Sequence, residues 1–216
     1  MKEKLLKNLK KIEKTLSNTD LNDAFSQIKS ALDLLPEDEV NNNSLGEFVI
    51  PSSISSNPGS YVIYSDGACR GNPGPGAYGC IAQDSEAKVV FEKAAVSEQT
   101  TNNRMELLGV IEGITTLGKL LNEKGQSISD VDILVVTDSK YVVDGITKWM
   151  DGWKSRGWRK ADKKAPENVE MWQKLDLIKQ KIGKRLSVDW VKGHAGHPQN
   201  EFCDQLANKA LDNEGF

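Results

Sequence analysis

The sequence has no apolar run long enough to cross a membrane or to serve as a secretion signal. Its opening KEKLLKNLKKIEK interrupts leucine and isoleucine with charge every few positions. Cysteine is scarce. Cys69, Cys80 and Cys203 form neither a C-x-x-C pair nor a metal-ligand spacing, which argues against a disulfide framework or a thiolate metal site and suits reduced, buried thiols. A cytoplasmic protein without a membrane partner is therefore expected. Internal repeats and low-complexity tracts are absent. There is also no global excess of positive charge: the net charge of −3 argues weakly against a nucleic-acid partner, although an average is silent about local patches. What remains is the composition of an ordinary soluble protein of 216 residues, enough for one well-buried domain and an appendage.

Two shifts in composition divide the chain. Over residues 1–35, Leu5, Leu9, Ile12 and Leu16, and then Leu21, Ala24, Phe25, Ile28, Leu32 and Leu35, recur at helical spacing around the capping residues 17–20. The pattern predicts a helical hairpin with one lysine-rich and one acidic helix. Such a small hairpin has a marginal core, which leaves open docking in cis, dimerisation or binding of a partner. Residues 36–60, acidic and then rich in Asn, Ser and Pro, have linker composition. From 61 to 216 the pattern changes to strands and helices. YVIYSD, AYGCIAQD and KVVFEKAAV read as an antiparallel meander. A helix over NNRMELLGVIEGITTLGKLL, capped by Thr101 or Asn102, precedes a buried strand VDILVVTD, a helix NVEMWQKLDLIKQKI, a strand LSVDWVK and a closing helix QNEFCDQLANKAL. This order predicts an α/β fold with a mixed sheet flanked by helices.

Four carboxylates then stand out. Asp66 and Asp138 each end an apolar strand, and the carboxyl ends of neighbouring strands are where ligands gather in open α/β sheets. Glu106 lies near the start of a capped helix and Asp204 in the first turns of the last one, where the helix dipole favours an anion. Each alone has a plainer reading, as a turn residue or a first-turn acid. Clustered, they would repel one another unless hard cations intervened, and oxygen-only ligands favour magnesium or manganese. Two such ions can activate a water and stabilise the leaving oxygen of a phosphodiester.

The segments SDGACRGNPGPGAYG, TTNNRMEL, VVTDSKYV, GWKSRGWRKADKKAPENVEMW and WVKGHAGHPQNEFCDQLA, in this order, resemble bacterial type 1 ribonuclease H over residues 61–216 and leave residues 1–58 uncovered. The resemblance implies a ribonuclease H-like fold with a five-stranded mixed sheet, three antiparallel strands followed by two parallel ones. It implies magnesium-dependent, two-metal endonucleolytic cleavage of the RNA strand of an RNA–DNA hybrid, with Asp66, Glu106, Asp138 and Asp204 as the metal-binding and catalytic acids. His194 matches a loop histidine that aids proton transfer or product release, whereas His197 reads as a surface or capping residue. In this reading the glycines after Asp66 turn the chain tightly and let nucleic acid approach the backbone.

The charge objection meets a local exception over residues 148–164. There Lys148, Lys154, Arg156, Arg159, Lys160, Lys163 and Lys164 outnumber Asp151 and Asp162, with Trp149, Trp153 and Trp158 interleaved. The resemblance makes this a basic protrusion holding the DNA strand. Trp149 and Trp153 share a helical face, so one or both are expected to be partly structural. Thr101 and Asn168 match a pocket for a DNA phosphate, and Asn72, Asn102 and Asn103 match residues that read the RNA strand. Two departures stand out: Lys140 replaces a frequent glutamine, so its substrate contact becomes a charge, and Gln99 replaces a basic residue beside the phosphate pocket. Competing readings are a non-catalytic hybrid-binding module and another nuclease of the same superfold.

Overall fold

The computed structural model describes residues 48–216, so the hairpin expected over residues 1–35 lies outside the described residues. The strands are β1 (Tyr61–Cys69), β2 (Gly74–Asp84), β3 (Val89–Thr100), β4 (Ile133–Thr137) and β5 (Leu186–Trp190), in the order β3-β2-β1-β4-β5. β1 pairs antiparallel with β2, and β2 with β3. β4 runs parallel to both β1 and β5. The fold is thus the five-stranded mixed sheet expected.

The strand residues explain why both faces of the sheet are covered. Ile63, Ile133 and Val135 point into one core, while Val62, Tyr64, Leu134 and Val136 point into a second, as the two-residue period of a strand requires. Helix α2 (Asn102–Glu123) lays Leu107, Val110, Ile111, Ile114 and Leu117 on the first core, together with Met171, Trp172 and Leu175 of α5 (Val169–Ile182). The last helix, α6 (Pro198–Asn213), delivers Cys203 to the second. Between β4 and α5 the chain forms α3 (Lys140–Asp144), a π-helical turn (Gly145–Trp149) and α4 (Met150–Ser155).

Residues 48–60 depart from the linker expected there. Ile50 and Ile54 are 8% and 3% exposed and pack with Val62, Tyr64 and Ile81; a short helix, α1 (Ser52–Ser55), carries Ile54. Ser60 Oγ donates to the Ile54 carbonyl, and the Val49 carbonyl accepts from Gln199 Nε2 of α6 at 3.1 Å. Serine and proline set the composition of this segment, but its two isoleucines decide where it goes.

A second departure concerns the glycine-rich stretch. β1 continues three residues past Asp66, in register with β2 as far as Cys69 opposite Gly76, so the turn is confined to residues 70–73. The open space expected beside Gly67 and Gly79 is filled by helices. A Cβ at Gly67 would lie 2.6 Å from the Glu106 backbone nitrogen, and one at Gly79 would lie 2.1 Å from the Cys203 carbonyl oxygen. These glycines let α2 and α6 sit directly on the sheet.

Candidate active site

Asp66 and Asp138 meet because of strand register. The parallel pairing of β1 with β4 runs from Tyr61 opposite Ile133 to Tyr64 opposite Val136, and continuing it two residues sets Asp66 beside Asp138. The parallel pairing itself stops at Tyr64 and Val136, just short of the acids, so both stand at the mouth of the sheet. α2 brings the third acid: Thr101 caps it, its hydroxyl accepting from the Arg104 N–H, and Glu106 then faces the Gly67 backbone. One carboxylate oxygen from each of Asp66, Glu106 and Asp138 lies within 4.8 Å of the others.

Electrostatically this triad is costly. Asp66 and Glu106 are each 6% exposed. Burial, followed by the Asp138 carboxylate and then Asp204, pushes Asp66 up to about 7, partly offset by the Gly67 N–H that donates to Asp66 Oδ1 at 2.7 Å. Burial and the neighbouring Asp66 and Asp138 carboxylates hold Glu106 well above the ordinary range. Glu106 Oε1 accepts from Asn102 Nδ2 at 3.2 Å, while the buried Oε2 has no partner. An oxygen-only, mutually repelling donor set, two of its acids buried and one half-buried, with an orphaned oxygen fits a hard divalent cation.

Asp204 stands outside the triad. It is half-buried on α6, and its Oδ1 accepts from Asn208 Nδ2 at 2.8 Å, yet it is near enough to raise Asp66 by its charge. His194 is exposed on the loop 191–197 and adopts a left-handed conformation (φ 49°) that non-glycine residues seldom take. His197 precedes α6 and packs its ring on Tyr64 at 5.5 Å; burial holds its imidazole below the usual range.

The asparagines connect to the acids. Asn72, in the β1–β2 turn, accepts from the Asn102 backbone N–H at 3.3 Å, and Asn102 in turn holds Glu106; Asn103 is exposed beside them. Thr101 and Asn168 flank Arg104, whose guanidinium donates to Asn168 Oδ1 and Glu170 Oε1. Arg104 lies inside the TTNNRMEL motif, but nothing in its spacing predicts this bridge between α2 and α5. Gln99 is exposed at the end of β3. The ammonium of Lys140 sits 4.7 Å above the Trp190 ring, a cation–π contact on an indole 43% exposed.

The basic segment divides into core and surface. Trp153 is 8% exposed, wedged between Trp149 and Trp172, so of the two tryptophans that share a helical face it is the structural one: its place in the helix turns it inward. Trp149, 36% exposed, remains available. Trp158 is half-buried against the first core with φ 61°, so it too is partly structural. Lys154 pairs with the buried Asp176 at 2.8 Å, and Arg156 Nε donates to the Arg159 carbonyl. Lys160 lies 3.8 Å from Asp162; Lys163 and Lys164 are exposed. Among the described residues no helix is long and apolar enough to cross a membrane.

Comparison with known proteins agrees with this fold. The RNase H family profile matches residues 58–212. Ribonuclease H of Alcanivorax borkumensis is 45% identical over 152 residues, covering 70% of this chain and 91% of that protein. Ribonuclease H of Agrobacterium fabrum is 45% identical over 150 residues, covering 69% and 93%. Among solved structures, LC9-RNase H1, described as a type 1 RNase H with the type 2 active-site motif, superposes with a TM-score of 0.59 at 33% identity over 73% of this chain and 74% of its own. LC11-RNase H1 in complex with an RNA/DNA hybrid gives 0.56 at 26% identity, over 72% and 99%. On sequence and fold together, this chain belongs to the RNase H family.

Proposed function

We propose that this chain is an endoribonuclease that hydrolyses the RNA strand of RNA–DNA hybrids, with Asp66, Glu106, Asp138 and Asp204 holding two Mg²⁺ ions, or Mn²⁺ in their place. The observation that carries this reading is the triad of buried Asp66 and Glu106 with half-buried Asp138, whose carboxylate oxygens converge within 4.8 Å beside the unpartnered Glu106 Oε2. When bound, the ions activate the attacking water and stabilise the developing charge on the scissile phosphodiester. The chain's own groups do the rest. Asp66 and Asp138 bring their carboxylates to the mouth of the sheet, and Asp204 adds a half-buried one from α6. Asn102 fixes the rotation of Glu106 through its amide. His194, exposed on its loop, moves a proton or helps product leave.

Substrate recognition follows from the surroundings. Asn72, Asn102 and Asn103 offer amide donors and acceptors suited to a 2′-hydroxyl, and the first of these connects through hydrogen bonds to Glu106. The start of α2 with Thr101, Arg104 and Asn168 suits a DNA phosphate. Trp149, Arg156, Lys160 and their exposed neighbours suit the DNA backbone, and Lys140, stacked over Trp190, offers it a further cation.

The test is a comparison of labelled RNA–DNA hybrid, duplex DNA and duplex RNA incubated with the protein in magnesium. Cleavage of hybrid RNA alone is expected. Equal cutting of duplex DNA would assign the site to a different nuclease, and tight hybrid binding without cleavage in any divalent metal would leave a binding module.

A further inference from the structure

Asp138 is held by the chain that follows β5. The Trp190 indole Nε1–H donates to the Asp138 carbonyl at 2.8 Å. Asn200, in the first turn of α6 and 2% exposed, donates an amide N–H to Asp138 Oδ2 at 3.2 Å, while its own Oδ1 is buried without a partner. Between these residues the backbone at Gly193 presses on the same carboxylate: a Cβ there would lie 2.3 Å from Asp138 Oδ2 and 3.2 Å from Cγ. Gly193 does not occupy the left-handed region, so its conformation admits any residue and only the space excludes one.

We infer that Gly193 and Asn200 are positioning residues for the Asp138 carboxylate, Gly193 by leaving the space it needs and Asn200 by fixing its rotation. The inference rests on the metal-holding role proposed above for Asp138. A glycine beside a loop histidine invites a different explanation, that it is a hinge for the loop 191–197. The two accounts separate on metal affinity. A side chain at a hinge stiffens the loop and slows turnover, leaving the acids where they were. A side chain at Gly193 that meets the carboxylate must displace it, because the backbone behind Gly193 is anchored at Trp190 and Asn200 on either side.

The test titrates Mn²⁺ into the full chain by calorimetry without nucleic acid, and separately measures hybrid cleavage against Mg²⁺ concentration. Gly193→Ala and Asn200→Ala should each weaken Mn²⁺ binding by about 10- to 100-fold, the usual loss when support of a metal ligand is removed. Their Mg²⁺ midpoints for cleavage should rise, with activity largely recovered at high Mg²⁺. His194→Ala, which leaves Asp138 alone, should bind Mn²⁺ as the wild type does. A Gly193→Ala protein with wild-type Mn²⁺ affinity and slow turnover would overturn the inference in favour of the hinge. Should Gly193→Ala fail to fold, Asn200→Ala decides: unchanged affinity and an unchanged Mg²⁺ midpoint would overturn it. Undiminished Mn²⁺ binding by Asp138→Asn would instead remove the metal-site reading beneath it.

Discussion

Asp66 is a carboxylate kept where a carboxylate is expensive, and that expense makes a prediction about pH. The unfolded group has a value of 3.8, and the folded one about 7. Between those values the native state holds a proton that the unfolded state has lost, so stability of the metal-free protein falls as pH rises from about 4 to about 7. Thermal unfolding in a chelator should show the higher melting temperature at pH 5 than at pH 8. Asp66→Asn should flatten that dependence, and a divalent cation should raise the pH 8 value of the wild type. An Asp66→Asn protein as pH-sensitive as the wild type would mean that other groups set the slope. Catalysis should move the other way, since Asp66→Asn and Asp138→Asn replace a charged ligand with an amide that holds a hard cation poorly. Losing about 4 kcal/mol of charge stabilisation would slow cleavage roughly a thousandfold. For His194→Ala the expected loss is about 10- to 100-fold, in kcat with KM little changed. The meeting of Asp66, Glu106 and Asp138 was legible in the sequence because motif and chemistry agreed on it. Gly193, Asn200 and Arg104 were not, because each acts through a partner far away in the chain, and no local periodicity encodes such a partner.

At the scale of elements, the segment from α3 to α5 combines two jobs that its sequence mixes together. Tryptophans one turn apart share a helical face, which the sequence pattern conveys, but which of them is covered depends on Trp172 from α5 packing beneath. Trp153→Ala should therefore destabilise the fold by about 3–5 kcal/mol in denaturant unfolding. Trp149→Ala should cost less stability and more hybrid affinity. The exposed cations beyond them make a separate prediction. Neutralising Lys160, Lys163 and Lys164 together should weaken hybrid binding and flatten its dependence on salt, the slope of log K against log salt falling by about one for each phosphate no longer engaged. Turnover at saturating substrate should change less. A salt slope equal to that of the wild type would mean that these lysines only solvate the surface. The five strands of the sheet were readable because short runs rich in β-branched and aromatic residues, bounded by turn residues, marked them. The turn after Asp66 was placed too early because glycine marks both turns and close helix packing, and Gly67 and Gly79 serve the second.

For the whole molecule, the nuclease fold extends upstream of the first strand. Composition concealed this: a stretch rich in serine and proline reads as linker even when Ile50 and Ile54 close one end of the second core. Removing two buried isoleucines forfeits on the order of 3–6 kcal/mol of burial. A chain beginning at Phe48 should therefore melt at a clearly higher temperature than one beginning at Ser60. Equal stability of the two would show that residues 48–59 add nothing to the fold. The central claim is that the clustered acids, loaded with metal, make this protein cut only the RNA of a hybrid. Its most direct test uses a hybrid labelled on both strands, comparing wild type with Asp66→Asn in magnesium while measuring hybrid affinity in parallel. The account predicts RNA-strand products from the wild type, an intact DNA strand, and an Asp66→Asn protein that binds hybrid but yields almost no product. Near-native cleavage by folded Asp66→Asn, or cutting of the DNA strand by the wild type, would contradict it.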